Sequence, residues 1–148
     1  MRDEERSILV LGATGRQGRS VARALLQAKW TVRALVRDIA APKSVALRNM
    51  GVTLVQGSFA DFDVIRAAME QVHGVFSVLP GTLAEDEEIR LGTAMADIAV
   101  QSGVAHFIYS SGASAGEKLT GVARFDAKPR IEAHMRTLPV AATIVRPM

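Results

Sequence analysis

Apolar residues recur along this chain in two alternating rhythms. Short runs rich in Val, Ile and Leu read as strands buried on both faces. Longer segments with an apolar residue every three or four positions read as helices. The first run is Ile8, Leu9, Val10 and Leu11, with no polar residue inside it, as a strand in the middle of a parallel sheet requires. A helix follows, its stripe made by Val21, Ala24, Leu25 and Ala28. Residues 30–36 (WTVRALV) predict a second strand, and Pro42, well suited to a first turn, opens a second helix. Residues 52–56 (VTLVQ) form a third strand closed by Gly57 and Ser58. Asp61 then reads as the N-cap of a helix bearing Val64, Ile65, Ala68, Met69 and Val72. A fourth strand, 74–79 (GVFSVL), ends at Pro80 and Gly81. The next helix starts with Glu85, Asp86, Glu87 and Glu88, expected in water where negative charge suits the helix dipole. Leu91, Met95, Ile98, Ala99 and Ser102 line one face of it, and Gly103 stops it. Residues 104–109 (VAHFIY) give a fifth strand that delivers Ser110 and Ser111 to its end, followed by a loop of Gly, Ser and Ala. Asp126 is expected to cap a last helix with Pro129 in its first turn and Ile131, His134, Met135 and Leu138 on its apolar face. Residues 140–145 (VAATIV) complete the series as a sixth strand.

Strands alternating with helices across short turns predict an α/β fold, a doubly wound Rossmann-type parallel sheet with helices on both faces. The turn after the first strand holds Gly12, Gly15 and Gly18, a spacing that lets backbone approach a phosphate at a helix N-terminus. With that turn the expected strand order is 3-2-1-4-5-6. A Walker-type loop is excluded, because Arg19 precedes Ser20 where a Lys is needed and the glycine spacing is wrong. Ligands of such sheets bind outside the carboxyl ends of the strands, where Gly12, Arg37, Ser58, Pro80 and Ser110 converge. Arg37 ends the second strand, the place that faces the adenine ribose. A guanidinium there accommodates a 2′-phosphate, so NADP(H) is expected before NAD(H).

Composition narrows the classes further. At 148 residues the chain is one domain in length, and 49% hydrophobic with 22% charged residues is globular. There is no cysteine, which removes disulfides and thiol chemistry. A net charge of +3 without a basic patch interleaved with aromatics argues against nucleic acid as a partner. His73, His106 and His134 lack metal-ligand spacing, so no metal is expected. The charged start MRDEERS leads directly into the first strand and no apolar stretch reaches membrane length. The expectation is therefore a cytoplasmic protein without a leader or membrane span.

The segments GATGRQG, VRALVRD, HFIYSS, FDAK and TIVRP, with a strand ending in GS, together resemble the NmrA-like group of atypical short-chain dehydrogenases, from Ile8 to Met148. The resemblance implies NAD(P) binding, with Gly12, Thr14, Gly15, Gln17 and Gly18, and Arg16 among them, forming the pyrophosphate turn. It places Arg37 on the 2′-phosphate and Ser58 and Phe59 at the adenine, where the family usually has Asp at the first position. Leu79, Pro80 and Ser110 fall at strand ends along the cofactor, and Lys128 matches the lysine that reaches the nicotinamide ribose. The Tyr that ordinary short-chain dehydrogenases carry four residues before that lysine is Arg124 here, and Phe125 has no proton to give. Lys128 is left as the candidate acid, with Ser110 or Ser111 able to orient a carbonyl. Two functions follow from the resemblance. One is a cofactor-sensing or regulatory module read by a protein partner. The other is an NADPH-dependent reductase of quinones or a related small electrophile. Family members continue past the RP motif into a C-terminal substrate lobe, which is expected to be absent from this chain. A homodimer covering the apolar surface so uncovered is a further expectation.

Overall fold

A computed structural model describes residues 6–112 and 123–147. Six strands and five helices alternate through them: β1 (Ser7–Leu11), α1 (Arg16–Gln27), β2 (Thr31–Val36), α2 (Pro42–Met50), β3 (Thr53–Gln56), α3 (Phe62–Ala68), β4 (Gly74–Ser77), α4 (Glu85–Gln101), β5 (His106–Ser110), α5 (Ala123–Arg136) and β6 (Ala141–Val145). The sheet order is β3-β2-β1-β4-β5-β6 and every pairing is parallel. Val10 sits opposite Ala34 on one side and Phe76 on the other, so β1 is central and fully buried.

Side-chain alternation divides the core into two layers. Ile8, Val10, Val32, Ala34 and Phe76 point to the face covered by Ala22 of α1 and Leu47 of α2. Leu9, Leu11, Val75, Phe107 and Tyr109 point to the opposite face, covered by Ile65 of α3, Met95 of α4 and Ile131 of α5. Crossovers before β3 lie on one face and later ones on the other. That reversal opens the crevice between β1 and β4.

β2, β3, β5 and β6 begin later than the apolar pattern suggests, and β4 stops at Ser77 rather than Leu79; three of the late starts share one cause. Trp30, Val52 and Val104 donate their backbone N–H to the carbonyls of Leu25, Leu47 and Ala99, closing the ends of α1, α2 and α4. In each case the preceding residue is left-handed: Lys29 at φ 70°, Gly51 at φ 107° and Gly103 at φ 72°. These apolar residues belong to helix-closing turns rather than to strands. At the other end of the chain α5 begins before Asp126. This residue is a buried member of the helix rather than its cap, and Pro129 lies within the helix rather than at its entrance. β6 is an edge strand, as the expected order places it, with Ala141, Ala142 and Thr143 exposed. The Gly-, Ser- and Ala-rich loop expected after β5 lies outside the described residues. Among the described residues no helix is long and apolar enough to cross a membrane.

Candidate functional site

At the carboxyl edge of the sheet the turns after β1, β2, β3 and β4 enclose a cleft of about 830 Å³. Its floor is the glycine turn. Gly12 has φ +89°, and a Cβ there would stand 2.4 Å from the Val78 carbonyl oxygen, so the position requires glycine on two counts. A Cβ on Gly18 would fall 2.1 Å from the Gly12 carbonyl oxygen, so α1 lies directly on the turn. Gly15 caps α1 without a side-chain hydrogen bond, and Arg19 makes the first helical bond, to the Gly15 carbonyl. The amides of Arg16, Gln17 and Gly18 therefore have no acceptor within the helix. A floor of backbone amides at a helix start, with no acid in that first turn, is built for an anion.

Cations reinforce that polarity. From residue 6 to residue 60, nine Lys or Arg stand against one acid, Asp38. Arg37 and Lys43 both line the cleft at the end of β2 and the start of α2, exposed and with no ion pair among the described residues. Asp38 lies beside them, but its Oδ1 accepts the Ala40 N–H at 2.9 Å and is engaged in its own turn. The third wall is Gly57, Ser58 and Phe59. Asp61 stabilises it in an unexpected way. No side-chain bond caps α3; instead Asp61 Oδ2 accepts the Ser58 N–H at 2.7 Å and fixes the turn on which Ser58 and Phe59 stand. Val78, Leu79, Pro80 and Gly81 complete the enclosure after β4.

Gly12, Thr14, Gly15, Arg16, Gln17, Gly18, Arg37, Ser58, Phe59, Leu79 and Pro80 thus share one cleft. Ser110 and Lys128 do not line it. The Ser110 hydroxyl, buried at the end of β5, donates to Gln17 Oε1 at 2.8 Å and ties that strand to the glycine turn. Lys128 donates from Nζ to Glu88 Oε1 at 2.5 Å. Glu88 is 6% exposed, which corrects the expectation of a solvated acidic start to α4. It falls on the same helical stripe as Leu91 and Met95, a register that marked it as inward-facing. Lys43 was also missed in the sequence. Its signal was a cation in the first turn of a helix, where the dipole disfavours one unless an anion comes to it.

Behind the cleft, the carboxyl ends of β5 and β6 are joined to α5 by a buried carboxylate. Glu132, 1% exposed, accepts from Ser111 Oγ and Arg146 at 2.5 Å each and from Arg136 at 3.3 Å. Burial alone pushes its carboxyl pKa up. Hydrogen bonds from Arg146 and Ser111 and the charges of Arg146 and Arg136 outweigh burial and hold it below the usual range. Tyr109, 1% exposed, is core as expected, and its hydroxyl has no hydrogen-bond partner among the described residues. Burial, then the negative charges of Glu88 and Glu132, push that phenol's pKa up, so it stays neutral. His134, expected on an apolar face, instead pairs with Asp97 at 2.6 Å, and His106 meets Thr143 at 2.8 Å. No group of three or more metal-ligating side chains occurs among the described residues.

The profile of the NmrA-like family matches residues 4–148, all but the first three positions. The chain belongs to the NmrA-like family. An NmrA-like family domain-containing oxidoreductase of Aspergillus hancockii is 37% identical over 140 residues, covering 88% of this chain and 42% of its own. The NAD(P)H azoreductase of Xenophilus azovorans is 38% identical over 108 residues, 73% of this chain and 36% of that enzyme. NmrA, a negative transcriptional regulator, in complex with NADP superposes with a TM-score of 0.81 at 28% identity, over 97% of this chain and 45% of that one. Its complex with NAD superposes with a TM-score of 0.82, also at 28% identity. This NmrA-like chain therefore spans less than half the length of these relatives.

Proposed function

We infer that the chain is a dinucleotide-binding module that prefers NADP(H) and acts chiefly as a cofactor sensor rather than as a catalyst. The observation that carries the preference is the pair Arg37 and Lys43 on the cleft wall, without an ion pair among the described residues, beside an Asp38 carboxylate that accepts from Ala40. The pyrophosphate is assigned to the amides and glycines of Gly12, Thr14, Gly15, Arg16, Gln17 and Gly18. The 2′-phosphate goes to Arg37 with Lys43, and the adenine to Ser58 and Phe59. The dinucleotide then passes Leu79 and Pro80 toward Ser110 and Lys128. When bound, the nicotinamide supplies a hydride donor or acceptor; the protein's part is to orient it and keep water off its faces. The sensing role is supported by the lack of a proton-donating Tyr at position 124 and by the burial of Tyr109.

A reductase of quinones or related electrophiles is the second reading, favoured by the oxidoreductase and azoreductase names of the relatives. Titration with NADPH, NADH and their oxidised forms, repeated on Arg37→Ala, tests the binding site. The expected result is a preference for the phosphorylated pair that the variant loses by about tenfold or more, with NADH unchanged. Equal affinity for both pairs refutes the NADP(H) assignment, and no binding refutes the module. Oxidation of NADPH by a quinone panel above the protein-free rate turns the sensor into the reductase.

A further inference from the structure

Glu88 is the one acid of the α4 start that turns inward, and its partner comes from another helix. Glu85, Asp86 and Glu87 share that first turn with it, yet of the four only Glu88 is buried. Each helix that follows a strand begins at the carboxyl edge of the sheet, so the start of α4 lies on the ligand side. Just past the loop that supplies Leu79, Pro80 and Gly81 to the cleft comes Glu88. Its place relative to that wall follows from three contacts. Gly92 is one turn below Glu88 on the same face of α4, and Ile131 is one turn below Lys128 on α5. A Cβ on Gly92 would meet Ile131 Cδ1 at 2.4 Å and Leu79 Cδ1 at 3.1 Å. The cleft residue Leu79 therefore closes the α4–α5 seam directly beneath the Glu88–Lys128 pair. From the other side, the Lys128 stem runs over Gly112, where a Cβ would stand 3.1 Å from Lys128 Cδ.

We propose that Glu88 is the positioning residue of Lys128, holding its ammonium beside Leu79 where the nicotinamide half of the dinucleotide leaves the cleft. This rests on the dinucleotide reading above and deepens it. An ammonium has three N–H donors, and Glu88 Oε1 takes one. With no other acceptor for Lys128 among the described residues, two are left for the hydroxyls of the second ribose, and their direction is set by a carboxylate buried in the α4–α5 seam. Lys128 is 28% exposed at its side chain and would otherwise sample many rotamers in water. Glu88 acts through Lys128 and touches no ligand itself.

The test separates the two halves of the ligand. Adenosine 2′,5′-bisphosphate occupies the Arg37 side alone, while NADPH also reaches Lys128. Glu88→Gln is expected to weaken NADPH about tenfold and to leave adenosine 2′,5′-bisphosphate within about twofold of the parent. Lys128→Met should match the NADPH loss, and the double variant should be no weaker than Lys128→Met alone. Gly112→Ala, which crowds the Lys128 stem without touching Glu88, provides a second route should Glu88→Gln fold poorly. It should weaken NADPH a few-fold, again sparing the bisphosphate. Unchanged NADPH binding in a folded Glu88→Gln, equal weakening of both ligands, or losses that add in the double variant would overturn the positioning role alone. If Glu88→Gln folds poorly, unchanged NADPH binding in Gly112→Ala overturns it. A parent protein that binds neither ligand overturns the dinucleotide reading itself.

Discussion

Replacing Glu132 by Gln preserves the shape of a buried side chain while removing its charge, and it isolates what the β5–α5–β6 clasp contributes. The carboxylate accepts from Ser111, Arg146 and Arg136. A hydrogen bond to a charged group contributes about 1.5–3 kcal/mol, against about 0.5–1.5 kcal/mol for a neutral one. The two short bonds, to Ser111 and Arg146, dominate, so the exchange costs about 2 kcal/mol in total. The two arginines are more than a third exposed and rehydrate, which keeps the cost from rising toward that of a stranded buried charge. For a domain of this size about 2 kcal/mol lowers Tm by about 4–8 °C at pH 7. The pH dependence discriminates this cause from simple misfit. The folded pKa of Glu132 lies below its unfolded value of about 4.3, so its contribution is complete above that value. It is lost as pH falls through the folded value. Tyr109 also faces this carboxylate but stays neutral throughout. Urea melts of parent and Glu132→Gln from pH 7 to pH 3 should show a gap that narrows below about pH 4. A gap constant with pH, or none at pH 7, refutes the account.

Two further perturbations probe groups whose roles the fold assigns. Tyr109→Phe removes a buried hydroxyl with no hydrogen-bond partner among the described residues, so thermal melting should stay level or rise, by about 1 kcal/mol at most; a clear loss would reveal a partner. Asp61→Ala removes the acceptor of the Ser58 N–H and should cost about 1 kcal/mol in urea melts and weaken adenosine 2′,5′-bisphosphate by a few-fold. Unchanged binding would show that the Ser58 turn holds without it.

Much of this molecule was written in periodicity. The unbroken run Ile8 to Leu11, the glycine spacing behind it and the alternation of strand and helix specify a parallel sheet wound in order β3-β2-β1-β4-β5-β6. Right-handed crossovers and burial on both faces leave few other solutions. Residues at strand ends must meet at one edge of such a sheet, which is why Gly12, Arg37, Ser58 and Pro80 could be grouped from strand order, whereas Thr14, Arg16, Gln17, Phe59 and Leu79 joined them through the family resemblance. Local pattern failed where residue type and position did not reveal which partner a group takes, near in sequence or far. Trp30, Val52 and Val104 look like strand residues because they are apolar, yet backbone closure of the preceding helix claims them. Asp61 looks like a cap because it precedes a helix, yet its carboxylate turns back to Ser58. Glu88 looks solvated among its acidic neighbours, yet Lys128, forty positions later, meets it across the α4–α5 seam. Sequence determined the elements, their order and the edge where ligands belong, because backbone periodicity and chirality act locally. Only the tertiary structure decided which charged side chains are buried and paired, because that depends on which helix packs beside which.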